Sequence, residues 1–192
     1  MSGFVLPQPP DYAGALLLAR GVTMRFGGVT AVSDLSLALP AGAIAGIIGP
    51  NGAGKTTVFN VLSGFYTPQE GEISFDGAGI KGRQPYEICR MGMARTFQNI
   101  RLSPQMTVLE NIMVGCHVRR HCPWWMAPLG LPPFYREEAE LRAKGRELAE
   151  RVHLADQLDE TAGSLPYGAQ RRLEIARALA TEPRLLLLDE PA

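Results

Sequence analysis

Apolar and polar residues alternate along "LLLARGVTMRF" (Leu16 to Phe26) and again along "SDLSLALPAG", the period of two that turns one face of a strand inward. The apolar run "AIAGIIG", Ala43 to Gly49, predicts a further strand, this one buried on both faces. It leads straight into "GPNGAGKTT", Gly49 to Thr57, a stretch too poor in side chains to pack a core. In "KTTVFNVLSGF" the period changes, and Val58, Val61, Leu62 and Phe65 fall at helical spacing. "TPQEGEISFDGAGI" reads as turn, strand and turn, which predicts a small antiparallel element beside a parallel sheet. From about 107 to 180 the pattern is mostly helical, interrupted by "CPWWMAPLGLPP", whose prolines and glycine forbid a continuous helix. "RLLLLDEPA" closes the chain with a second buried strand that ends in acid. Residues 1–14 carry three prolines and little periodicity and read as an extension, with the fold beginning near Ala15.

Composition narrows the class without naming a partner. A chain of 192 residues, 46% of them hydrophobic, fits one domain with a sizeable core. Lys+Arg and Asp+Glu are both 19, so the chain as a whole offers no field to draw in nucleic acid or an anionic membrane surface. No apolar run approaches the roughly 20 residues needed to span a bilayer, and the N-terminus lacks the basic start and apolar core of a signal peptide. A cytoplasmic location is the expectation. Cys89, Cys116 and Cys122 are an odd set and are read as reduced thiols.

The order strand, glycine loop, helix gives the chemistry of the loop. "GPNGAGKT" has the phosphate-loop spacing in the context that spacing requires. Its glycines let the backbone curl so that N–H groups converge on one centre, where the positive end of the helix dipole adds to them. Gly49, Pro50, Asn51, Gly52, Ala53, Gly54, Lys55, Thr56 and Thr57 are therefore candidate ATP contacts. Lys55 would neutralise the β- and γ-phosphates, and the Thr56 hydroxyl would sit on Mg²⁺. The plain alternative, a glycine-rich turn that happens to hold a lysine, leaves the full pattern and its flanks to coincidence. At the second strand end Asp189 suits a Mg²⁺ ligand, and Glu190 suits the general base that deprotonates the attacking water. Alone, a strand ending in two acids means little; with a phosphate loop in the same chain it is informative.

From about Leu16 to Ala192 these motifs resemble the ATP-binding subunits of ABC transporters. The resemblance implies an α/β fold: a P-loop NTPase (RecA-like) core with an antiparallel β subdomain and a helical subdomain inserted at about 100–180. It places Phe26, in "MRFGG", as the aromatic that stacks on adenine; on its own it would be an ordinary strand phenylalanine. Gln98, in "ARTFQN", matches the glutamine that senses the γ-phosphate and Mg²⁺ and joins the core to the helical insertion. "LPYGAQRRLEIARAL" matches the signature, in which Tyr167 and Gly168 would cap the γ-phosphate held by an opposite subunit, two chains sandwiching two ATPs head to tail. Pro166 stands where serine is usual and Ala169 where glutamine is usual. "GPNGAGKTTVFNVLSGFYTP", "MARTFQNIRLSPQMTVLENIMVG" and "RRLEIARALATEP" are most similar to the branched-chain amino acid branch, with urea, amide or other amino acid importers as the alternative. The resemblance further implies a homo- or heterodimer on the cytoplasmic face of the membrane, bound to separate permease subunits. A substrate-binding protein would be an indirect partner, and nucleic acid none.

Remaining features have plainer readings beside the sharp ones. "CHVRRHC" could be drawn as a zinc site or as an ordinary helix end. Trp124 and Trp125 could contact a membrane subunit or fold back on the insertion. The alternating charges of "YREEAELRAKGRELAER" read as a solvated helix face. Three functional classes stand: an energy-coupling ATPase, a nucleotide-binding fragment without turnover, and a soluble ABC-type ATPase of translation or repair. The third predicts a tandem cassette or a coiled-coil insertion, and neither occurs. In the family an aspartate-bearing loop and a histidine that contacts the γ-phosphate follow the second acidic motif. Because the sequence stops at "DEPA", the expectation is that these 192 residues alone do not turn over ATP at a useful rate.

Overall fold

A computed structural model describes residues 14–120, 122, 126, 128–129 and 131–189. The chain divides into two compact units, one ending at Ile88 and one beginning at Cys89.

The first unit is an antiparallel sheet with one helix. Strands β1 (Ala15–Phe26), β2 (Val29–Pro40), β3 (Glu70–Phe75) and β4 (Ala78–Gly79) lie in the order β2-β1-β3-β4. The alternation read from the sequence is realised: Leu17, Ala19 and Val22 of β1 and Ile73 and Phe75 of β3 are all buried. Register shifts on both sides of Gly21 bend β1, where the Gly21 N–H leaves the ladder for Ser36 Oγ at 3.0 Å. Helix α1 (Lys55–Leu62) buries Val58, Val61 and Leu62, and just past its end the Phe65 and Tyr66 N–H groups both donate to the Asn60 carbonyl. A short helix, α2 (Pro85–Met91), follows β4 and buries Ile88.

One expectation fails here. Ala43–Gly49 forms no strand, and Ile44 and Ile48 are exposed. A strand exists only where a neighbour accepts and donates its ladder hydrogen bonds. In the first unit β1 is paired on both edges, by β2 and β3, and none of the four strands of that sheet pairs with this segment. Its apolar character was legible; the pairing it needs was not supplied.

The second unit is helical around a short parallel pair. Strand β5 (Met93–Arg95) runs parallel to β6 (Leu185–Leu187), with Met93 opposite Leu185 and Arg95 opposite Leu187. Parallel strands need a long crossover, and it is made by α3 (Val108–Cys116), α4 (Pro132–Arg151) and α5 (Tyr167–Leu179). Thr107 caps α3 through its hydroxyl, which accepts from the Glu110 N–H, while the Glu110 carboxylate accepts from the Thr107 N–H. Val108, Ile112 and Cys116 pack against Leu148 and Ala149 of α4 and Ala169, Leu173 and Ala176 of α5. Asn111, fully buried among them, donates to the Ser103 and Thr107 carbonyls and accepts from the Ser103 N–H, so its amide carries no unpaired cost. The outer face of α4 is charged and laced by ion pairs Arg142–Glu138 and Arg151–Glu147, as the sequence pattern predicts. Cys116 lies in this core, not on a metal-facing surface, while His121, Trp124 and Trp125 fall outside the described residues.

Candidate nucleotide site

The first unit presents the phosphate loop at the head of α1. Gly52 (φ 82°) and Gly54 (φ 85°) occupy the left-handed region that side chains resist, and they curl residues 50–54 ahead of the helix. At Gly54 there is no room besides: a Cβ would run into the carbonyl oxygen of Ala31 in β2. Helix α1 starts with no side-chain cap and no acidic residue in its first turn, which leaves the positive end of its dipole uncompensated. The Lys55 ammonium curls back over the loop and donates to the carbonyls of Gly49 (2.6 Å) and Pro50 (3.0 Å). Neutral carbonyls are weaker partners for an ammonium than an anion is. An open, positive backbone cradle with a lysine at its mouth fits a phosphate. Thr56 beside it is exposed and Thr57 half-buried. Phe26 ends β1, 42% exposed, and its ring packs edge-on against Tyr66 with centroids 5.3 Å apart. A face left partly open beside an aromatic neighbour suits stacking on a base.

The second unit holds the acidic strand, the glutamine and the signature. Asp189 follows β6, and its side chain is nearly buried. Arg95 Nη2, equally buried, donates to Asp189 Oδ2 at 2.9 Å, while the Asp189 N–H reaches Thr96 Oγ1 at 3.4 Å. One step along, two guanidinium groups lie over the Phe97 ring, Arg95 at 5.2 Å and Arg101 at 4.9 Å from its centre. Gln98 itself is exposed. Its carbonyl and that of Phe97 are gripped by Arg171 of α5, at 2.8 and 2.6 Å, and Arg171 is paired with Glu174 at 3.0 Å. The Gln98 segment and the signature helix are thus joined by direct hydrogen bonds.

Pro166 is the residue before the first turn of α5, where its missing N–H has no helical partner to lose. Ala169 packs into the helical core, 4% exposed. The short side chain at that position is therefore a packing requirement here. Tyr167 and Gly168 are exposed at the helix start, and a Cβ on Gly168 would meet nothing nearer than an Arg172 nitrogen at 3.9 Å. Among the described residues no closer neighbour fills the space beside Gly168. Glu190 lies outside the described residues.

Sequence reasoning missed Arg95, Arg171 and Glu174. Each is one charge among many in "MARTFQ" and "RRLEIAR", and only burial separates them from solvated neighbours; the i, i+3 spacing of Arg171 and Glu174 was the available hint.

A phosphate loop on an α/β fold with an antiparallel sheet and a helical insertion defines a P-loop ATPase cassette. The model of the family "ABC transporter" matches residues 32–192, and the chain belongs to that family. A branched-chain amino acid transport ATP-binding protein of Pseudomonas aeruginosa, BraF, is 46% identical over 177 residues, covering 92% of this chain and 69% of that protein. LivG of Escherichia coli, of the same description, is 45% identical with the same coverage. Among solved structures, a nucleotide-free ATP-binding cassette from an ABC transporter superposes with TM-score 0.77 at 32% identity, over 93% of this chain and 70% of that one. A cassette in its ADP conformation gives 0.77 at 34%, over 92% and 69%. A dimeric post-hydrolysis cassette bound to ADP and Pi gives 0.76 at 25%, over 92% and 74%. No helix among the described residues is long and apolar enough to cross a membrane.

Proposed function

We propose that this chain is the ATP-binding and ATP-hydrolysing subunit of an importer for branched-chain amino acids, peripheral on the cytoplasmic face of the membrane and working through separate permease subunits. The observation that carries the reading is the phosphate cradle at the head of α1, in a chain 45–46% identical over 177 residues to branched-chain amino acid transport ATP-binding proteins. Lys55 leaves the Gly49 and Pro50 carbonyls for the β- and γ-phosphates, the loop N–H groups from Gly52 to Thr57 hold the phosphate oxygens, and Phe26 stacks on adenine. Thr56 and Asp189 offer the hard oxygen ligands that Mg²⁺ takes, with Gln98 reporting on the γ-phosphate. When bound, Mg²⁺ neutralises charge on the phosphates. Glu190 removes the proton of the attacking water. Tyr167 and Gly168 address the nucleotide of a second subunit in a head-to-tail dimer. The amino acid passes through the permease and never touches this chain.

Transport in vesicles tests the reading. The chain is combined in turn with the permease subunits of a branched-chain importer and of a urea importer, each lacking its own ATP-binding subunit, and uptake of labelled leucine and valine or of urea is followed with and without ATP. ATP-dependent leucine and valine uptake that disappears with Lys55→Ala is the expected result. No leucine or valine uptake with the branched-chain permease, together with ATP-dependent urea uptake through the urea permease, would move the chain to a related importer, and uptake unaffected by Lys55→Ala would remove the phosphate loop from the mechanism.

A further inference from the structure

Two buried charges on α5 have no part in the roles assigned above. Arg171 is 9% exposed and Glu174 is 2% exposed, one helical turn apart on the face turned toward the Gln98 segment. Arg171 places one nitrogen on the Phe97 carbonyl at 2.6 Å and the other on the Gln98 carbonyl at 2.8 Å. Glu174 closes the ring: one oxygen accepts from Arg171 at 3.0 Å and the other from the Phe97 N–H at 3.2 Å. The planar guanidinium fork thus meets two consecutive carbonyls, while its partner carboxylate accepts from the Phe97 N–H just before them.

Such an arrangement exceeds what a neutralised ion pair needs for stability. Two charges in a core are often no better than apolar residues of like volume, so packing alone gives no reason to aim both at one stretch of backbone. What the pair does is fix the peptide planes on either side of Phe97, and hence the direction in which the exposed Gln98 side chain leaves the chain. The other end of the same helix turn carries Tyr167 and Gly168, four and three residues before Arg171. Backbone this tightly held cannot shift without shifting α5, and α5 cannot turn without moving Gln98.

We infer that Arg171 and Glu174 are positioning residues, which lock the Gln98 segment to the first turn of α5 so that the glutamine and the signature move as one piece. Neither touches the nucleotide; both act through the backbone they hold. The inference rests on the proposed roles of Gln98 and the signature for its functional consequence, and on the hydrogen bonds alone for its structural one.

The two levels are separable by experiment. Three variants of the full chain are compared with the parent: Glu174→Gln, Arg171→Met, and the double change Arg171→Met with Glu174→Leu, which substitutes apolar volume for both charges. Hydrogen exchange is read by mass spectrometry over residues 96–101, with Ile112 to Cys116 in the α3 core as internal reference. Affinities for fluorescent ATP and ADP analogues are measured with Mg²⁺. The double variant is expected to fold, to exchange over 96–101 about tenfold faster than the parent with the reference unchanged, and to lose about tenfold of its ATP-over-ADP preference while ADP affinity, which rests on the phosphate loop, stays within about twofold. Glu174→Gln, which keeps the shape and one acceptor, should show a smaller change of the same sign. A folded double variant with parental exchange over 96–101 overturns the lock. If the double variant does not fold, parental exchange in Glu174→Gln overturns it equally. Should the parent bind neither nucleotide, the nucleotide reading fails and the exchange result still decides the lock; faster exchange with an unchanged ATP-over-ADP preference would overturn the functional half of the inference.

Discussion

Residues 49–57, the candidate phosphate loop, and residues 95–98, which end in the candidate glutamine, are held in opposite ways. The phosphate loop takes its shape from its immediate neighbours: the Lys55 ammonium bonds to carbonyls five and six residues back, and the Ala53 N–H to the Pro50 carbonyl. The second stretch is held by groups far away in the chain. Arg95 pairs with Asp189 across 94 residues, and Phe97 and Gln98 are gripped from α5 across 73 to 77. A loop held by local bonds and glycine conformations can lose a functional side chain and keep its fold. A segment held by buried charges cannot, because removing one charge strands the other.

The largest effect is therefore expected at Arg95. Its side chain and that of Asp189 are both nearly buried, and truncation to alanine leaves a carboxylate without its partner in the interior. Arg95→Ala should destabilise the chain by about 3–5 kcal/mol, read as a lower midpoint in urea with unchanged slope. Adding Asp189→Ala should recover much of that loss, since the stranded charge is then gone. If Arg95→Ala unfolds at the parental midpoint, the pair is not what holds the 95–98 segment and the contrast drawn above collapses.

Lys55 is the opposite case. It is half-buried and, among the described residues, bonded to two carbonyls of its own loop, so Lys55→Ala should leave the urea midpoint within about 0.5 kcal/mol of the parent, as for other substitutions outside a core. MgATP binding should fall by about 100-fold, or roughly 2.7 kcal/mol, the scale of lost charge-assisted bonds to phosphate. A fluorescent ATP analogue titrated into both proteins measures it. Tight binding by the variant would remove Lys55 from the site, and a large loss of stability would mean that the loop is not locally determined.

This difference in wiring also decides what could be read from the sequence. The phosphate loop was legible because its determinants are contiguous: glycines at the positions of positive φ, a lysine, then helical spacing. β1, β3, α1 and β6 were legible from their periods, since each buries one face or both. The segment 43–49 misled for a physical reason: apolar composition reports a desire for burial, while a strand also needs a partner for its backbone, and partners are not written in the run itself. β5 escaped because three residues carry no period. The Arg95, Arg171 and Glu174 contacts escaped because a charge destined for the core looks, in sequence, like any charge on a solvated helix.

Lys144 and Glu182 give the sharpest control, being distant in sequence like Arg95 and Asp189 but open to solvent. The ammonium donates to Glu182 Oε1 across 38 residues, and the two side chains are 28% and 58% exposed. The hydrogen bond from Lys144, followed by its charge, holds the Glu182 carboxyl below the usual carboxylate range, with Arg119 adding to the shift and partial burial opposing it. A carboxyl whose pKa is lower in the folded chain stabilises the fold above its unfolded value of about 4.3, and that contribution is lost as pH falls through the folded value. Because solvent screens the pair, Lys144→Ala should cost less than about 1 kcal/mol at pH 7, and less again in 1 M salt. Thermal melts of parent and variant from pH 7 to pH 3 should therefore start slightly apart and converge as Glu182 takes up its proton. Were Lys144→Ala as damaging as Arg95→Ala, distance along the chain would be the quantity that matters; a small, salt-sensitive and acid-sensitive loss assigns the importance of the 95–98 contacts to burial.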